Sequence, residues 1–333
     1  MRAPATTLGV LALLLLAPAG PPAHAAPAAH TAIVGGTPAG EDAFLWLAFI
    51  AYTNSNGSLS VCTGTVVAAN IVLTAGHCVE NAQTGELDEP SRYTVITGNV
   101  QWTASPRLLS GVSRAIVYPG FDRATLSGDA ALLILSTPTS MPAIAIATGP
   151  SDAPILKGGT AGIVAGWGRT YPEQPVPTER LRWADAVVQQ TGYCEHDAKP
   201  FDSEDELCAI DAPGNEAGIC FGDSGAPLFA RNPTGSSGVI ELGLASRLYG
   251  QCSTTHPDVY TRADTIAPWV EEWIAAAAPL LAPVAALGPA TAPVKPTPVP
   301  ATQRHHRRGK HRKHRRHRRY GHRRRSPHDR LFQ

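Results

Sequence analysis

Short apolar segments separated by turn-forming residues make up most of the chain. The segments combine β-branched, aromatic and small apolar residues, and Gly, Pro, Asn or Asp stands between many of them. Such spacing is typical of an all-β barrel or sandwich. The predicted strands cover residues 44–50, 60–69, 71–74, 93–97, 115–118, 130–135, 162–166, 184–189, 225–230, 239–246 and 259–261.

A helical pattern follows the last of these strands. Pro268 would stand in the first turn of the helix, where its missing N–H costs little. Apolar residues recur at i, i+1, i+4 and i+5, so they would share one face. The pattern predicts a helix over residues 265–277. Its apolar face would consist of Trp269, Val270, Trp273 and Ile274.

The first residues have the three parts of a secretory signal. Arg2 precedes an apolar run over residues 8–17, and an Ala-His-Ala cleavage site follows at residues 23–25. The run is shorter than the roughly 20 residues that a membrane-spanning helix needs. We therefore expect residues 1–25 to be a signal peptide and the protein to be secreted and extracellular. The alternative is the start of a buried helix.

Charge divides the chain into two parts of opposite sign. The sequence has 28 Lys and Arg against 27 Asp and Glu, and residues 304–333 hold 14 of the bases and one of the acids. The tail therefore has a net charge of +13, whereas residues 1–303, with 14 bases and 26 acids, have −12. Such asymmetry points to an anionic partner for the tail.

The C-terminal part has the composition of a linker followed by a disordered tail. Residues 279–303 are dominated by Pro and Ala, so we expect a semi-rigid linker, and residues 304–333 are Arg/His-rich, so we expect a disordered tail. We expect the tail to bind anionic polymers or surfaces in a salt-dependent way. Alternatively it folds back on the acidic domain, is removed, or has no role. Specific nucleic-acid recognition is not expected, because Tyr320 is the only aromatic residue among the charges.

Two short motifs carry the candidate chemistry. Residues 74–78 read Thr-Ala-Gly-His-Cys, and residues 222–227 read Gly-Asp-Ser-Gly-Ala-Pro. A serine hydroxyl needs a base to become a nucleophile, and imidazole is the natural one at neutral pH. Together the motifs resemble those of the chymotrypsin-like (trypsin-fold) serine proteases. Ile-Val-Gly-Gly at 33–36, Gly-Asp-Ala-Ala-Leu-Leu at 128–133 and Ala-Gly-Trp-Gly at 165–168 match further motifs in that family's order.

The resemblance covers about residues 33–278 and implies a fold. It implies two six-stranded antiparallel β-barrels with the active site in the cleft between them, and a C-terminal helix that closes the second barrel. One barrel would carry His77 and Asp129 and the other Ser224. Six cysteines in a secreted chain favour three disulfides but allow 15 pairings, and the resemblance selects among them. The implied pairs are Cys62–Cys78, Cys194–Cys208 and Cys220–Cys252.

The resemblance also implies catalytic roles. His77 is the expected general base, Ser224 the nucleophile, and Asp129 the residue that orients the imidazole. Asp122 lies seven residues earlier and is the alternative, but only Asp129 directly precedes an apolar strand. The backbone N–H groups of Gly222 and Ser224 would form the oxyanion hole. The sequence has no CxxC pair or HExxH, so no metal and no cofactor are expected.

Activation by cleavage is a further implication. Residues 26–32 would be a propeptide, and the freed α-ammonium of Ile33 would pair with Asp223 inside the protein. The residue before the cut is Ala32, whereas activation by trypsin would need Arg or Lys. We therefore expect an activating protease that accepts small residues, or activation by the enzyme itself.

Two features of the specificity pocket point in different directions. Gly218 stands at the position that forms the pocket base in this family, but Asp258 replaces a glycine that also lines the base and would attract Arg or Lys. In the pocket wall, Ser246 is followed by Arg247 and Leu248 where the family commonly has Trp and Gly, and Leu248 would narrow the pocket. We expect an Arg/Lys or mixed preference. In the alternative, Asp258 is a rim residue facing solvent.

The resulting hypothesis is a secreted, monomeric serine endopeptidase that acts on protein or peptide substrates. A protease-fold binding protein without turnover, whose function is carried by the tail, is the first rival. An esterase that uses the same site is the second, since both chemistries proceed by acyl transfer.

Overall fold

The computed structural model describes residues 33–281, except 55–56, 82–83, 212–213, 215 and 233–237. The predicted signal peptide, propeptide and basic tail, and all but the start of the linker, lie outside the described residues.

The first six-stranded unit is a closed antiparallel barrel with strand order β2-β3-β4-β7-β6-β5. Its interior holds apolar side chains that alternate along the strands, such as Ile50, Val72 and Leu133, and all three are fully buried. Its strands are β2 (Leu47–Thr53), β3 (Leu59–Ala68), β4 (Ile71–Thr74), β5 (Tyr93–Thr97), β6 (Leu108–Val117) and β7 (Ala131–Leu135).

The second unit is also a closed ring of six antiparallel strands, in the order β9-β10-β11-β14-β13-β12 and back to β9. Its core includes Leu228, Leu242 and Tyr260. Two short strands are added to this ring: β1 (Thr37–Pro38) pairs with β10, and β8 (Ala145–Ile146) pairs with β13. The strands of the ring are β9 (Ala161–Gly166), β10 (Arg182–Val188), β11 (Glu206–Ile210), β12 (Pro227–Arg231), β13 (Val239–Arg247) and β14 (Asp258–Arg262).

Three α-helices accompany the barrels within the described part of the chain: α1 (Gly149–Asp152), α2 (Thr191–Asp197) and α3 (Ala263–Leu281). The α3 helix begins two residues before the predicted one. Its Ile266 and Val270 pack in one cluster with Leu132 of the first barrel and Leu244 of the second. The helix therefore packs against both barrels, rather than only the second.

The two sequence-predicted barrels are confirmed, but the strand bounds differ in places. The first strand begins at Leu47 rather than at residue 44, because Phe44 has a positive φ of 54° and interrupts the extended backbone. The prediction missed β11, the short strands β1 and β8, and the first seven of the ten residues of β6. The β11 strand has an apolar run, Leu-Cys-Ala-Ile, but it opens with a buried glutamate.

Three disulfides join the pairs that the resemblance implies, Cys62–Cys78, Cys194–Cys208 and Cys220–Cys252. The first connects β3 to the short 3-10 helix Gly76–Cys78, and the third connects the segment before Ser224 to the segment before β14. These two crosslinks therefore lie on either side of the candidate active site.

Candidate active site

Pairing of β4 with β7 brings the candidate base and its partner together. Thr74 at the end of β4 lies opposite Ala131 at the start of β7, so the residues just beyond them meet at one edge of the first barrel. His77 Nδ1 lies 2.7 Å from Asp129 Oδ2, and the backbone N–H of His77 donates to Asp129 Oδ1 at 2.8 Å. Asp122, the alternative, instead accepts the backbone N–H of Ala124 within its own loop.

The carboxylate of Asp129 is fully buried and multiply hydrogen-bonded. Besides His77, the hydroxyl of Ser246 donates to Asp129 Oδ2 at 2.7 Å. Burial alone would raise the pKa of Asp129, but the charge and hydrogen bonds of His77 and the Ser246 hydroxyl lower it below its usual value. Loss of solvent around the His77 ring would lower its pKa, but the adjacent carboxylate raises it above 6.5. The pair is therefore built to stabilise a protonated imidazole.

Ser224 lies in a tight turn that needs glycine at two nearby positions, 222 and 225. Gly222 and Gly225 have φ values of 102° and 77°. A Cβ on Gly225 would lie 2.3 Å from Thr74 Oγ1 and 2.4 Å from Thr63 O. The backbone N–H of Thr63 also donates to the carbonyl of Ser224 at 2.9 Å. The first barrel therefore contacts this turn of the second barrel directly.

His77, Gly222 and Ser224 line one cleft of about 290 Å³ between the barrels. Arg169 and Phe221 also line it, with the guanidinium carbon of Arg169 5.4 Å from the Phe221 ring centre. Sequence reasoning did not single out these two residues. The signal available was the position of Phe221, directly before the glycine of the Gly-Asp-Ser-Gly motif.

The residues predicted for the specificity pocket separate into two groups. Asp258 is buried, and its Oδ2 accepts the backbone N–H of Ile219 at 2.8 Å. A Cβ on Gly218 would lie 3.3 Å from that oxygen, so the two positions are adjacent. Leu248 lines the cleft. Ser246, expected in the pocket wall, directs its hydroxyl to the Asp129 carboxylate instead.

Burial determines the electrostatics of Asp258. Its Oδ1 has no hydrogen-bond partner among the described residues, and its pKa is raised well above its ordinary value by burial, with a further contribution from the charge of Asp223. The alternative in which Asp258 faces solvent therefore does not fit the structure.

The segment that begins at Ile33 docks on the second barrel. The Ile33 side chain is fully buried in the barrel core, and Val34 forms an isolated β-bridge with Gly218. Ile33 has a positive φ of 43°, which is a strained value for a β-branched residue.

The carboxylate of Asp223 is fully buried and accepts the N–H groups of Gly168 and Cys220 at 2.7 and 3.0 Å. Burial raises its pKa to about 7, although both hydrogen bonds act in the opposite direction. The uncut chain thus contains a buried carboxyl for which ionisation is unfavourable.

Two features are absent from the described ranges: a cluster of metal-binding side chains and a helix able to cross a membrane. No group of three or more His, Cys, Asp or Glu side chains is arranged to bind a metal ion in the described part of the chain. No helix within residues 33–281 has the length and apolar character needed to cross a membrane.

Comparison with known proteins assigns the family. Residues 33–270 match the family model described as Trypsin. The chain is 30% identical over 262 residues to Duodenase-1 of Bos taurus, and the aligned region covers 78% of this chain and 94% of Duodenase-1. It is 30% identical over 247 residues to a trypsin-like protease of Streptomyces glaucescens, with coverages of 74% and 84%. Granzyme-like protein 1 of Rattus norvegicus is 27% identical over 269 residues, with coverages of 80% and 98%.

The chain therefore belongs to the trypsin family, and it is a serine endopeptidase. Its two barrels and C-terminal helix are the fold of that family, and proteins or peptides are its substrates.

Proposed function

We propose that the enzyme hydrolyses peptide bonds through an acyl-enzyme formed on Ser224. His77 acts as the general base, and Asp129 holds its tautomer and stabilises the imidazolium. The 2.7 Å contact between His77 Nδ1 and Asp129 Oδ2, in a cleft that Ser224 also lines, is the observation that carries this proposal. It leaves His77 Nε2 as the ring nitrogen that can receive the serine proton.

The reaction proceeds by two acyl transfers. Ser224 Oγ attacks the substrate carbonyl carbon as its proton passes to His77. The oxyanion that forms accepts hydrogen bonds from the backbone N–H groups of Gly222 and Ser224. His77 then gives the proton to the leaving amine. Water attacks the acyl-enzyme with the same base, and the acid product leaves as Ser224 Oγ is reprotonated.

Labelling with a phenylmethylsulfonyl reagent tests the assignment. We expect the mature enzyme to be labelled on Ser224 and to cleave peptides, and the Ser224→Ala variant to do neither. Turnover of esters without turnover of any peptide would favour the esterase. A folded protein that begins at Ile33 and takes no label would favour a binding protein.

We further propose that the protein is made as a secreted zymogen. Residues 1–25 direct export, and removal of propeptide residues 26–32 frees the α-ammonium of Ile33 to pair with Asp223. The buried Asp223 and the docked segment at residues 33–34 support this proposal. Because Ala32 precedes the cut, the activator is the enzyme itself or a protease that accepts small residues.

The activation proposal has a direct test. Asp223→Asn, or chemical blocking of the Ile33 amine, should leave a folded protein with little activity. Removing one partner of a buried ion pair destabilises the conformation that contains the pair, here the active one, by roughly 3–5 kcal/mol. Wild-type turnover in either case would refute the switch.

For substrate selection we propose a preference for Arg/Lys or a mixed preference, directed by Asp258. Its burial beside Gly218, with one oxygen free of hydrogen bonds in the described structure, supports the proposal. Leu248 restricts the size of the side chain that enters. Asp258→Gly should abolish cleavage after basic residues. If the preference persists, Asp258 does not select the substrate.

We propose finally that the basic tail of residues 304–333 tethers a monomeric enzyme to anionic polymers or cell surfaces. Its charge of +13 supports this role. Deleting the tail should reduce retention on an anionic matrix at low salt and leave turnover unchanged. Equal retention would refute the tether.

A further inference from the structure

Arg247, the last residue of β13, is partly buried in a polar network. Its side chain is 13% exposed, and that of its partner Glu206 is 3% exposed. Arg247 Nη1 donates to Glu206 Oε1, and Nη2 donates to Oε2 at 2.9 Å. This two-point geometry requires the planar fork of arginine, which a lysine cannot reproduce.

The same guanidinium reaches two backbone carbonyls. Nη1 donates to the carbonyl of Thr125 at 3.2 Å, and Nη2 donates to that of Pro200. Thr125 lies in the loop of residues 118–130 between β6 and β7 of the first barrel, whereas Pro200 follows α2 beside the second barrel. One side chain therefore connects segments of both barrels.

A second contact ties the same loop to the second barrel. The Ser127 hydroxyl donates to Oδ2 of Asp205 at 2.7 Å, and Asp205 directly precedes β11 of the second barrel. Within the loop, the N–H of Asp122 donates to the carbonyl of Ser127 at 2.9 Å. The loop is thus folded on itself and held at two points, and it leads directly to Asp129.

The position of Arg247 links this network to the cleft. It follows Ser246, whose hydroxyl donates to Asp129, and it precedes Leu248, which lines the cleft. Because His77 and Asp129 belong to the first barrel and Ser224 to the second, contacts between the barrels set the geometry of the site.

We propose that Arg247 is a positioning residue that fixes the loop of residues 118–130 against the second barrel and thereby holds Asp129, which this loop carries, in place against His77. The proposal rests on the endopeptidase function given above. Glu206 and two carbonyls already occupy the guanidinium, so Arg247 presents no free cation to the substrate. The enzyme consequently does not select Asp or Glu side chains of the substrate through this residue.

Kinetics of Arg247→Lys and Arg247→Gln test the proposal. For a peptide substrate, kcat should fall roughly tenfold, which corresponds to about 1.4 kcal/mol. KM should change less than kcat, because the variants disturb the His77–Asp129 pair and not a contact with the substrate. Arg247→Lys keeps the charge and carries the test if Arg247→Gln does not fold. Arg262→Gln is the matched control, because Arg262 forms a two-point pair with Asp264 of α3 and donates to the carbonyl of Ser203, both outside the loop of residues 118–130.

Hydrogen–deuterium exchange provides a readout that needs no turnover. The amides of Asp122 and Leu126 form hydrogen bonds within the loop. In a Ser224→Ala background, both amides should exchange faster in the two Arg247 variants than in the parent protein. In Arg262→Gln their exchange should be unchanged. Unchanged exchange in the Arg247 variants would overturn the proposal. Failure of the wild-type enzyme to cleave peptides, with the exchange effect present, would refute the proposed function but not the positioning role.

A profile of substrate preference separates positioning from recognition. If wild type prefers Asp or Glu on the acyl side and Arg247→Gln loses that preference, Arg247 binds substrate and the proposal is wrong. If Glu206→Gln gains such a preference, releasing the guanidinium has created a free cation, as the proposal expects.

Discussion

Glu241 makes the stability of the protein dependent on pH. This residue of β13 is fully buried, and the Thr65 hydroxyl of the first barrel donates to its Oε2 at 2.8 Å. Its Oε1 has no hydrogen-bond partner in the described part of the molecule. Burial raises the pKa of the carboxyl from 4.5 to about 8, against a smaller effect of Thr65, so it is protonated in the folded protein at neutral pH.

The direction of the effect follows from proton binding. Between pH 4.5 and about 8 the folded protein keeps a proton on Glu241 that the unfolded chain releases. Stability from this group is therefore complete below pH 4.5 and decreases as the pH rises towards 8. Well inside that window the free energy of unfolding should fall by about 1.4 kcal/mol per pH unit. From pH 5.5 to 7 the loss amounts to about 2 kcal/mol.

Glu241→Gln isolates this contribution, because the amide does not titrate. In urea unfolding at pH 5.5, 6.25 and 7, the unfolding free energy of the wild type should fall relative to that of Glu241→Gln by about 2 kcal/mol across the range. A Ser224→Ala background prevents self-digestion. The buried amide adds a cost that is constant with pH, so the difference in slope is the quantity measured. Parallel curves would show that Glu241 is ionised in the folded protein and would refute the reasoning.

Three further predictions concern the active site. Because Asp129 raises the pKa of His77 above 6.5, and catalysis needs the neutral imidazole, kcat/KM should rise with pH with a midpoint above 6.5; a midpoint below that value would contradict the pairing. Gly225→Ala places a Cβ 2.3 Å from a threonine oxygen at a φ of 77° and should abolish labelling of the serine, whereas Gly40→Ala, with nothing within 4 Å, should not. Ser246→Ala removes a hydrogen bond to a charged group, so kcat measured on a peptide should fall roughly tenfold; an unchanged kcat would assign Ser246 to the pocket alone.

Local patterns in the sequence predicted most of the strands, and short motifs carried the family resemblance that implied two barrels and the residues of the candidate site. Strands such as Ile71–Thr74 and Tyr93–Thr97 have compact apolar patterns and were predicted with the observed bounds. The histidine and serine motifs stand at strand ends and turns, and glycines mark the turn around Ser224. Short motifs of this kind depend on residues that are close in the chain, which is why they can be read from it.

Features that depend on distant partners could not be read in this way. Glu206 opens a buried strand, where it pairs with Arg247, 41 residues further along the chain. The hydroxyl of Ser246 turns to Asp129 rather than to the pocket, and no local pattern indicates that choice. The burial of Asp258 likewise results from the way β14 packs beside the Gly218 segment.

The strained backbone of Ile33 gives the proposed activation a direction. A φ torsion exists only where a peptide bond precedes the residue, so cutting before Ile33 removes the torsion that stands at 43° in the uncut chain. A strained value of this kind costs on the order of 1–3 kcal/mol. The docked segment bears that cost beside Asp223, whose carboxylate has hydrogen bonds but no ion-pair partner among the described residues. The proposed cut would remove both penalties. Cleavage before Ile33 would therefore stabilise the docked state, so that undocking of the segment at residues 33–34 would cost more free energy after the cut than before it.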